Sequence, residues 1–259
     1  MEDWYLIIKK GQDEFIKIQN STKNSYYADP FLYYNDGYYI FFEEFDNTRC
    51  KGHISYIKLD DTNYNLKPVK IIDEKFHLSY PFLIECNSKL YMIPESYQAN
   101  TIYLYESVSF PYIWDKKELI KNINAVDSTL LFYENKYWLF TSVLDSECKN
   151  RYLSLFYSDS LYGTWTAHPI NKFKIFGDLD HGSGRGAGNI YMEAGFLYRP
   201  IQMSEKFYGE SIQINRILIL SVDDFIEINN NHILTPFDSG THHISKLDDY
   251  TVMDIKRYI

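Results

Sequence analysis

Cysteine is scarce in this chain of 259 residues: there are three, Cys50, Cys86 and Cys148. An odd number without metal-type spacing excludes a disulfide framework and a zinc site, and predicts free thiols in a reducing compartment. No His-x-His, His-Glu-x-x-His or paired-cysteine motif occurs, so neither a metal nor another cofactor is expected. A glycine-rich phosphate loop joining a strand to a helix is equally missing, which excludes nucleotide binding of the Rossmann or Walker kind. No apolar run approaches the roughly 18 residues of a membrane-spanning helix. The opening Met1-Glu2-Asp3-Trp4 carries acids where a signal peptide would carry Lys or Arg. A cytoplasmic chain without a membrane span is the expectation. Positive charge is short as well: 26 basic against 35 acidic residues leave a net charge of −9. Nucleic acid and anionic membranes both favour a basic face, so neither is an expected partner.

Aromatic residues are abundant. The 25 Tyr, 17 Phe and 4 Trp make up 18% of the chain. Tyr and Phe favour strands, and Tyr joins an apolar ring to a polar tip, which suits a β protein whose pockets meet polyhydroxylated ligands. With 45% hydrophobic and 24% charged residues, neither disorder nor a fibrous protein is plausible.

The chain also repeats itself. Ala28-Asp29-Pro30-Phe31-Leu32, a turn at Asn35-Asp36-Gly37 and Tyr38-Tyr39-Ile40-Phe41-Phe42-Glu43-Glu44 form a first phrase. Ser79-Tyr80-Pro81-Phe82-Leu83, a turn at Asn87-Ser88 and Lys89 to Glu95 form a second. Val126-Asp127-Ser128-Thr129-Leu130 opens a third, Gly186-Ala187-Gly188-Asn189-Ile190 a fourth, and His242-His243-Ile244-Ser245 a shorter fifth. Each is a strand, a tight turn and a second strand, and further strand-like runs follow, as at Gly52 to Ile57 and Thr101 to Tyr105. Units of about 50 residues repeated in this way predict an all-β, five-bladed β-propeller. A β-sandwich has no reason to repeat its strand–turn–strand phrase five times. The blades are expected near residues 26–74, 78–120, 125–170, 184–228 and 240–259, the last closed by residues 3–9, in a single domain covering 1–259. Asp180 to Gly184 and Asn229 to Asn231 read as short polar turns rather than linkers.

In a propeller the first strand of each blade lies nearest the axis, so equivalent positions face one another. The repeats bring Asp29, Tyr80, Asp127, Ala187 and one of His242 or His243 to one level. Glu44 and Glu95 end second strands and reach the same mouth; Arg185 precedes the fourth inner strand, and Arg199 and Gln202 end its partner. Buried carboxylates are costly without partners, so a polar cluster here points to function. Asp before a strand also accepts backbone N–H bonds, and Asp–Arg pairs can simply staple blades. His77 and Tyr208 complete the candidate ligand contacts. His242 and His243 are adjacent, so on a strand they would point to opposite faces and could not chelate together.

Ala-Asp-Pro-Phe-Leu, Asp-Gly-Tyr-Tyr and Val-Asp-Ser-Thr-Leu resemble phrases of the five-bladed propeller glycosidases of the arabinanase and β-xylosidase type. That resemblance implies a general base at Asp29 and, at Asp127, a residue that orients substrate and tunes the acid. The acid of that family is a Glu in a Glu-Gly-Pro phrase; here Arg185-Gly186-Ala187-Gly188 stands instead, with Gly186 at the acid's place. An inverting hydrolase needs that acid. Some of those glycosidases hold a central ion through an axial His, a role the resemblance would give to His242 or His243.

A second resemblance covers nearly the whole chain. His77-Leu78-Ser79-Tyr80-Pro81, Met92-Ile93-Pro94-Glu95, Val126-Asp127-Ser128, Arg185-Gly186-Ala187-Gly188, Tyr198-Arg199-Pro200-Ile201-Gln202, Tyr208-Gly209 and Gly240-Thr241-His242-His243 follow in order. They resemble the N-terminal domain of glucosamine inositolphosphorylceramide transferases and its bacterial relatives. The resemblance implies a propeller in surface-glycan or glycolipid biosynthesis, with a carbohydrate, glycolipid or sugar phosphate as ligand and a separate glycosyltransferase domain or protein as partner. As an enzyme, the chain would use Asp29 as base, Asp127 and Glu95 beside it, and Arg185 against an anionic donor or leaving group. A phosphate leaves without a carboxylic acid, so Arg in place of Glu is coherent for transfer. A glycan-binding module would use the same carboxylates and Arg on sugar hydroxyls, whereas a protein-interaction propeller would need no convergent acids.

Overall fold

The computed structural model describes residues 3–18, 20, 24–59, 67–144, 151–172, 184–233 and 239–256. Cys148 and the Asp180–Ser183 part of one expected turn lie outside them. Five four-stranded antiparallel sheets form a five-bladed β-propeller. In chain order, β1 (Trp4–Lys10) and β2 (Ile16–Ile18) precede the first blade, β3 (Ser25–Tyr34), β4 (Tyr38–Asp46), β5 (Lys51–Lys58) and β6 (Val69–Ile72). The second blade is β7 (Ser79–Cys86), β8 (Lys89–Glu95), β9 (Thr101–Ser109) and β10 (Ile113–Lys121). The third is β11 (Ala125–Tyr133), β12 (Lys136–Leu144), β13 (Arg151–Ser158) and β14 (Thr166–Ala167). The fourth is β15 (Tyr191–Glu193), β16 (Phe196–Met203), β17 (Ser211–Leu220) and β18 (Phe225–Ile233). β19 (Ile244–Leu247) and β20 (Tyr250–Lys256) then pair through β1 with β2, so the fifth sheet is built from both ends of the chain. Among the described residues the helical segments are two 3-10 turns, Tyr97–Ala99 and Pro169–Lys172.

Packing follows from strands buried on both faces. On β4, Ile40 and Phe42 pack toward the fifth blade with Leu6, Ile8 and Val252, while Phe41 packs toward the second with Leu78 and Met92. Similar apolar clusters fill the other blade interfaces. Each fully buried Phe or Ile contributes about 1.5–3 kcal/mol relative to exposure, so the five interfaces rather than any sheet alone hold the ring.

Three differences from the expected layout have local causes. β2 adds an outer strand to the fifth blade, pairing Ile18 with Leu6. Asn229 to Asn231 lie inside β18 rather than in a turn: Asn229 faces Asn215 across a bulge, and the ladder continues to Ile233. The fourth inner strand is broken: Gly186 makes one isolated bridge to Ile201, and regular pairing resumes only at Tyr191.

That break is tight. Gly188 adopts φ +138°, and a Cβ there would collide with the Ile244 carbonyl carried by the neighbouring blade. Gly188→Ala therefore combines backbone strain with overpacking and should cost about 3 kcal/mol. A thermal melt should show the midpoint lowered by roughly 6–12 °C; an unchanged midpoint would show that the fourth and fifth blades do not meet as described.

Candidate functional site

The inner strands of the first three blades share one irregularity. Pairing shifts by a residue between Ala28 and Phe31, between Ser79 and Phe82, and between Val126 and Thr129. At the same place Asp29, Tyr80 and Asp127 adopt φ of 52°, 44° and 51°. A bulge with a left-handed residue frees a backbone N–H from the ladder and re-aims the side chain. The neighbouring blade can then supply the missing acceptor. Asp254 on β20 takes the N–H of Asp29 at 3.0 Å, and Asp29 Oδ2 takes that of Tyr80 at 3.2 Å. Asp29 thus staples two blades with one oxygen and keeps the other, Oδ1, toward His242 Nε2 at 3.8 Å and His243 Nδ1 at 3.7 Å.

A cavity of about 170 Å³ opens at this mouth, lined by Asp29, Glu43, Glu95, Arg185, His77 and His242 with the rings of Trp4, Tyr26 and Tyr208. Its size is below the roughly 300–1,000 Å³ of drug-sized pockets and suits one sugar ring rather than a chain. Of the residues expected here, Asp29, Glu95, Arg185, His77, Tyr208 and His242 meet at this wall.

Others stand behind it. Asp127, 2% exposed, receives Arg185 through Nε at 2.5 Å and Nη2 at 3.0 Å, and Gln202 donates to Asp127 and to the Gly186 carbonyl. Tyr80 is fully buried, bonded to Thr129 and Gly188 and edge-on to Phe31 and His243. Arg199 is committed to Glu227 and to the Gly184 carbonyl, where it braces the turn that carries Arg185.

Glu44 is a correction. It bonds Ser55 at 2.8 Å and meets His53 at 3.3 Å, away from the cavity, and Glu43 takes its expected place. The first hairpin closes on Tyr34–Tyr38 through three residues, the second on Cys86–Lys89 through two. The partner strand therefore slips by one, and a one-residue slip exchanges the faces of a strand. Glu43 opposite Ala28 is the counterpart of Glu95 opposite Ser79. Strand parity corrected for turn length was the signal for Glu43. Asp254 carried none.

The two imidazoles are also placed differently from the strand expectation. Residues 241–243 precede β19, and Asp254 accepts the N–H groups of both His242 and His243 at 3.0 Å. Both rings consequently approach Asp29. Asp29, His242 and Asp254 bring potential ligand atoms within 4.8 Å of one another. Asp254, however, already accepts four hydrogen bonds, from Asp29, Thr241, His242 and His243, and has His242 Nδ1 at 2.6 Å. Three of these bonds fall on Oδ1 and one on Oδ2, the oxygen that also lies beside His242 Nδ1.

The electrostatics follow from this packing. Burial pushes the Asp29 carboxyl up to about 7; His242 opposes the shift, Asp254 and Asp127 add to it, and Arg185 opposes it. Burial pulls His242 down, but Asp254 overrides it and lifts the imidazole to about 8. His243, buried without that contact, falls to about 3. His77 falls to about 4 through burial and the Lys51 charge. Its Nδ1 accepts the Gly52 N–H, so its proton sits on Nε2 facing Glu43 Oε1 at 3.5 Å. Burial also works against Arg185, yet Asp127, Tyr208 and Glu95 hold its guanidinium well above the ordinary arginine range. With Asp127 bidentate on one side and Glu95 Oε2 3.6 Å away on another, its charge is balanced inside the wall.

The position expected for a leaving-group acid is filled. A Cβ at Gly186 would lie 2.8 Å from the Tyr80 hydroxyl and 3.1 Å from the Asp127 carbonyl. The glycine leaves room for Tyr80, and no glutamate fits there without displacing it.

The family profile described as "Glucosamine inositolphosphorylceramide transferase 1, N-terminal" matches residues 16–252. "Glucosamine inositolphosphorylceramide transferase 1" of Arabidopsis thaliana is 34% identical over 209 residues, covering 79% of this chain and 27% of the relative. Its counterpart in Oryza sativa subsp. japonica is 30% identical over 212 residues, covering 80% and 28%. The chain thus spans little more than a quarter of the length of these relatives. Among solved structures, an inulosucrase from Halalkalicoccus jeotgali bound to kestose superposes with a TM-score of 0.68 at 12% identity, over 90% of this chain and 78% of that one. A thermostable family-43 glycoside hydrolase gives 0.60 at 12%, over 91% and 88%. A family 117 glycoside hydrolase from Zobellia galactanivorans gives 0.61 at 12%, over 98% and 90%. At these identities the likeness to solved structures is one of fold.

Proposed function

The chain belongs to the glucosamine inositolphosphorylceramide transferase 1, N-terminal family, and from that premise we propose that its propeller takes one sugar residue of a surface glycan or glycolipid into the cavity at Asp29 and acts on it during assembly. The observation that carries this reading is Asp29 Oδ1. Asp29 lines the cavity, its Oδ2 is occupied by the Tyr80 N–H while Oδ1 is left toward the two imidazoles, and burial lifts its carboxyl to about 7. Such a group suits general base work at ordinary pH. In transfer, a sugar hydroxyl gives its proton to Oδ1 while its oxygen bonds the anomeric carbon of an activated sugar. That donor and its phosphate stay outside the one-sugar cavity, and the phosphate leaves with the bonding pair and needs no proton, in keeping with glycine at 186.

Arg185 has a different part from capturing a free anion. Asp127 and Glu95 balance it, so it stiffens the wall and orients hydroxyls. Glu43 and Glu95 add two further carboxyl groups, and the partly buried Tyr208 ring lines the same wall. That balance fits a neutral sugar or the ammonium of an amino sugar better than a bare phosphate, and glucosamine in the relatives' names is an amino sugar.

A second reading has its own support. The chain spans little more than a quarter of the relatives, so the propeller could present a glycan to a separate glycosyltransferase without doing chemistry. Titration calorimetry with methyl glucoside, methyl glucosaminide and glucose 1-phosphate, beside a turnover screen with sugar nucleotides, separates the two. Binding of the amino sugar above the phosphate is expected, with turnover that needs Asp29. Binding without any turnover would favour the presenting role, and no binding of any of the three would end both.

A further inference from the structure

We propose that the outer edge of β18 is a self-docking surface, on which a second copy of this chain pairs its own β18 antiparallel about a two-fold axis. The outermost strand of a blade presents a row of unpaired N–H and C=O groups, and proteins keep such edges short or charged. Four of the five outer strands obey that rule. β2, β6 and β14 run to three, four and two residues. β10 is longer but carries Asp115, Lys116, Lys117, Glu118 and Lys121. β18, at nine residues, has no Lys or Arg, and its one carboxylate, Glu227, is buried against Arg199. No strand among the described residues pairs with its outer edge.

The surface beside this edge is apolar. Ile226 and Ile228 are 41% and 46% exposed, and Leu218 and Ile219 on the adjoining β17 are 45% and 40% exposed. Alternate residues of a strand share a face, so Ile226 and Ile228 stand together while Glu227 turns to the other side. Contiguous exposed apolar surface of this kind marks an interaction site.

The order of residues along the strand identifies the partner. Two antiparallel copies centred on Glu227 set Ile226 opposite Ile228 twice, and Phe225 opposite Asn229 twice. Opposed β-branched side chains on one face are favourable. The two Glu227 carboxylates also meet, but each is held by its own Arg199 through two bonds, so no bare like charges face each other. Past Phe225 the turn carries Asp223 and Asp224; past Asn229 the strand carries Asn230 and Asn231. The two-fold therefore brings the acids of each copy beside the amides of the other, acceptors to donors at both ends. Sliding the pairing to a centre on Ile226 or Ile228 sets an isoleucine against Asp224 or Asn230 and loses that match. The bulge at Asn230 ends the regular edge and confines the pairing to residues 225–229.

Sedimentation equilibrium of the 259-residue chain between about 1 and 100 µM tests this, a span suited to an interface of modest size. The weight-average mass should climb from one chain to two across that span. Ile228→Lys puts a cation opposite Ile226 and should hold the mass at one chain, with an unchanged melting midpoint because the position is exposed. Ile113→Lys, at the equally open start of β10, should dimerise as the wild type does. Chains carrying Ile226→Cys, mixed with chains carrying Ile228→Cys and all in a Cys50→Ser background, should cross-link to one another under mild oxidation faster than either does with itself. A wild-type chain that stays single at the highest concentration overturns the proposal without any variant. A dimer that survives Ile228→Lys forms elsewhere and overturns it too, and faster cross-linking of Ile226→Cys chains with one another removes this register. No sugar enters the experiment, so its outcome is independent of what the cavity binds.

Discussion

Arg199→Met is expected to cost about 3–5 kcal/mol, the range for breaking a buried ion pair from one side. Arg199 and Glu227 are 3% and 2% exposed and meet through two bonds of 2.9 and 2.5 Å. The substitution leaves the Glu227 carboxylate with neither water nor a counter-charge. It also releases the Gly184 carbonyl, next to the residue that carries the Arg185 guanidinium into the cavity wall. Against a typical total stability of about 5–15 kcal/mol, this removes between roughly a fifth and all of it. Removing both charges at once, as Arg199→Met with Glu227→Leu, should recover most of the loss, because two apolar groups of similar volume demand no solvation. Denaturant titration of the three proteins decides the matter. A single variant within about 1 kcal/mol of wild type would mean that the pair is solvated and that the turn before Arg185 is held by something else.

Asp29→Asn should lower turnover by about 10²–10⁴-fold while leaving the fold intact. Asparagine keeps an oxygen for the Tyr80 N–H, and it removes a carboxylate that burial makes costly to ionise. Thermal stability at pH 8 should therefore hold or rise as activity disappears. The wild-type profile has a definite sign on its acidic side. The base works ionised, so the rate should climb as pH rises through about 7. In the variant the acidic limb should vanish. Undiminished turnover by Asp29→Asn would place the chemistry elsewhere and leave this carboxylate as a blade staple.

The blades were legible because a hairpin is a local object: alternating Tyr, Phe and Ile around Asn, Asp or Gly turns can be read within a dozen residues, and five similar phrases imply a ring. Asp29, Tyr80 and Asp127 were legible for the same reason, as one position repeated. What they do there was not. Whether a carboxylate faces a cavity or an arginine depends on the next blade, and nothing local distinguishes Asp127 under Arg185 from Asp29 at the wall. Glu43 was hidden by hairpin length, since Ala28 and Glu43 stand one residue closer in sequence than Ser79 and Glu95, and that reverses the parity of the strand that follows. Asp254 was hidden by distance. In sequence it is an acid near the end of a short strand, and its partners stand on another strand and in another blade.

The bond from the Asp29 N–H to Asp254 joins residues separated by 225 positions, and this bears on how the protein is made. Four blades can assemble from neighbouring hairpins while a ribosome is still working. The fifth joins β1 to β20, which stand on either side of the other four blades in sequence, so it closes only once those four have been made. Contacts of such high contact order form slowly, after the chain has met the entropic cost of closing a long loop. Until β20 docks, the Asp29 N–H lacks its acceptor and His242 lacks the carboxylate that charges it. A nascent or partly opened ring would therefore possess every residue of the pocket and none of its acid–base chemistry. Closure of the ring and maturation of the site become a single event.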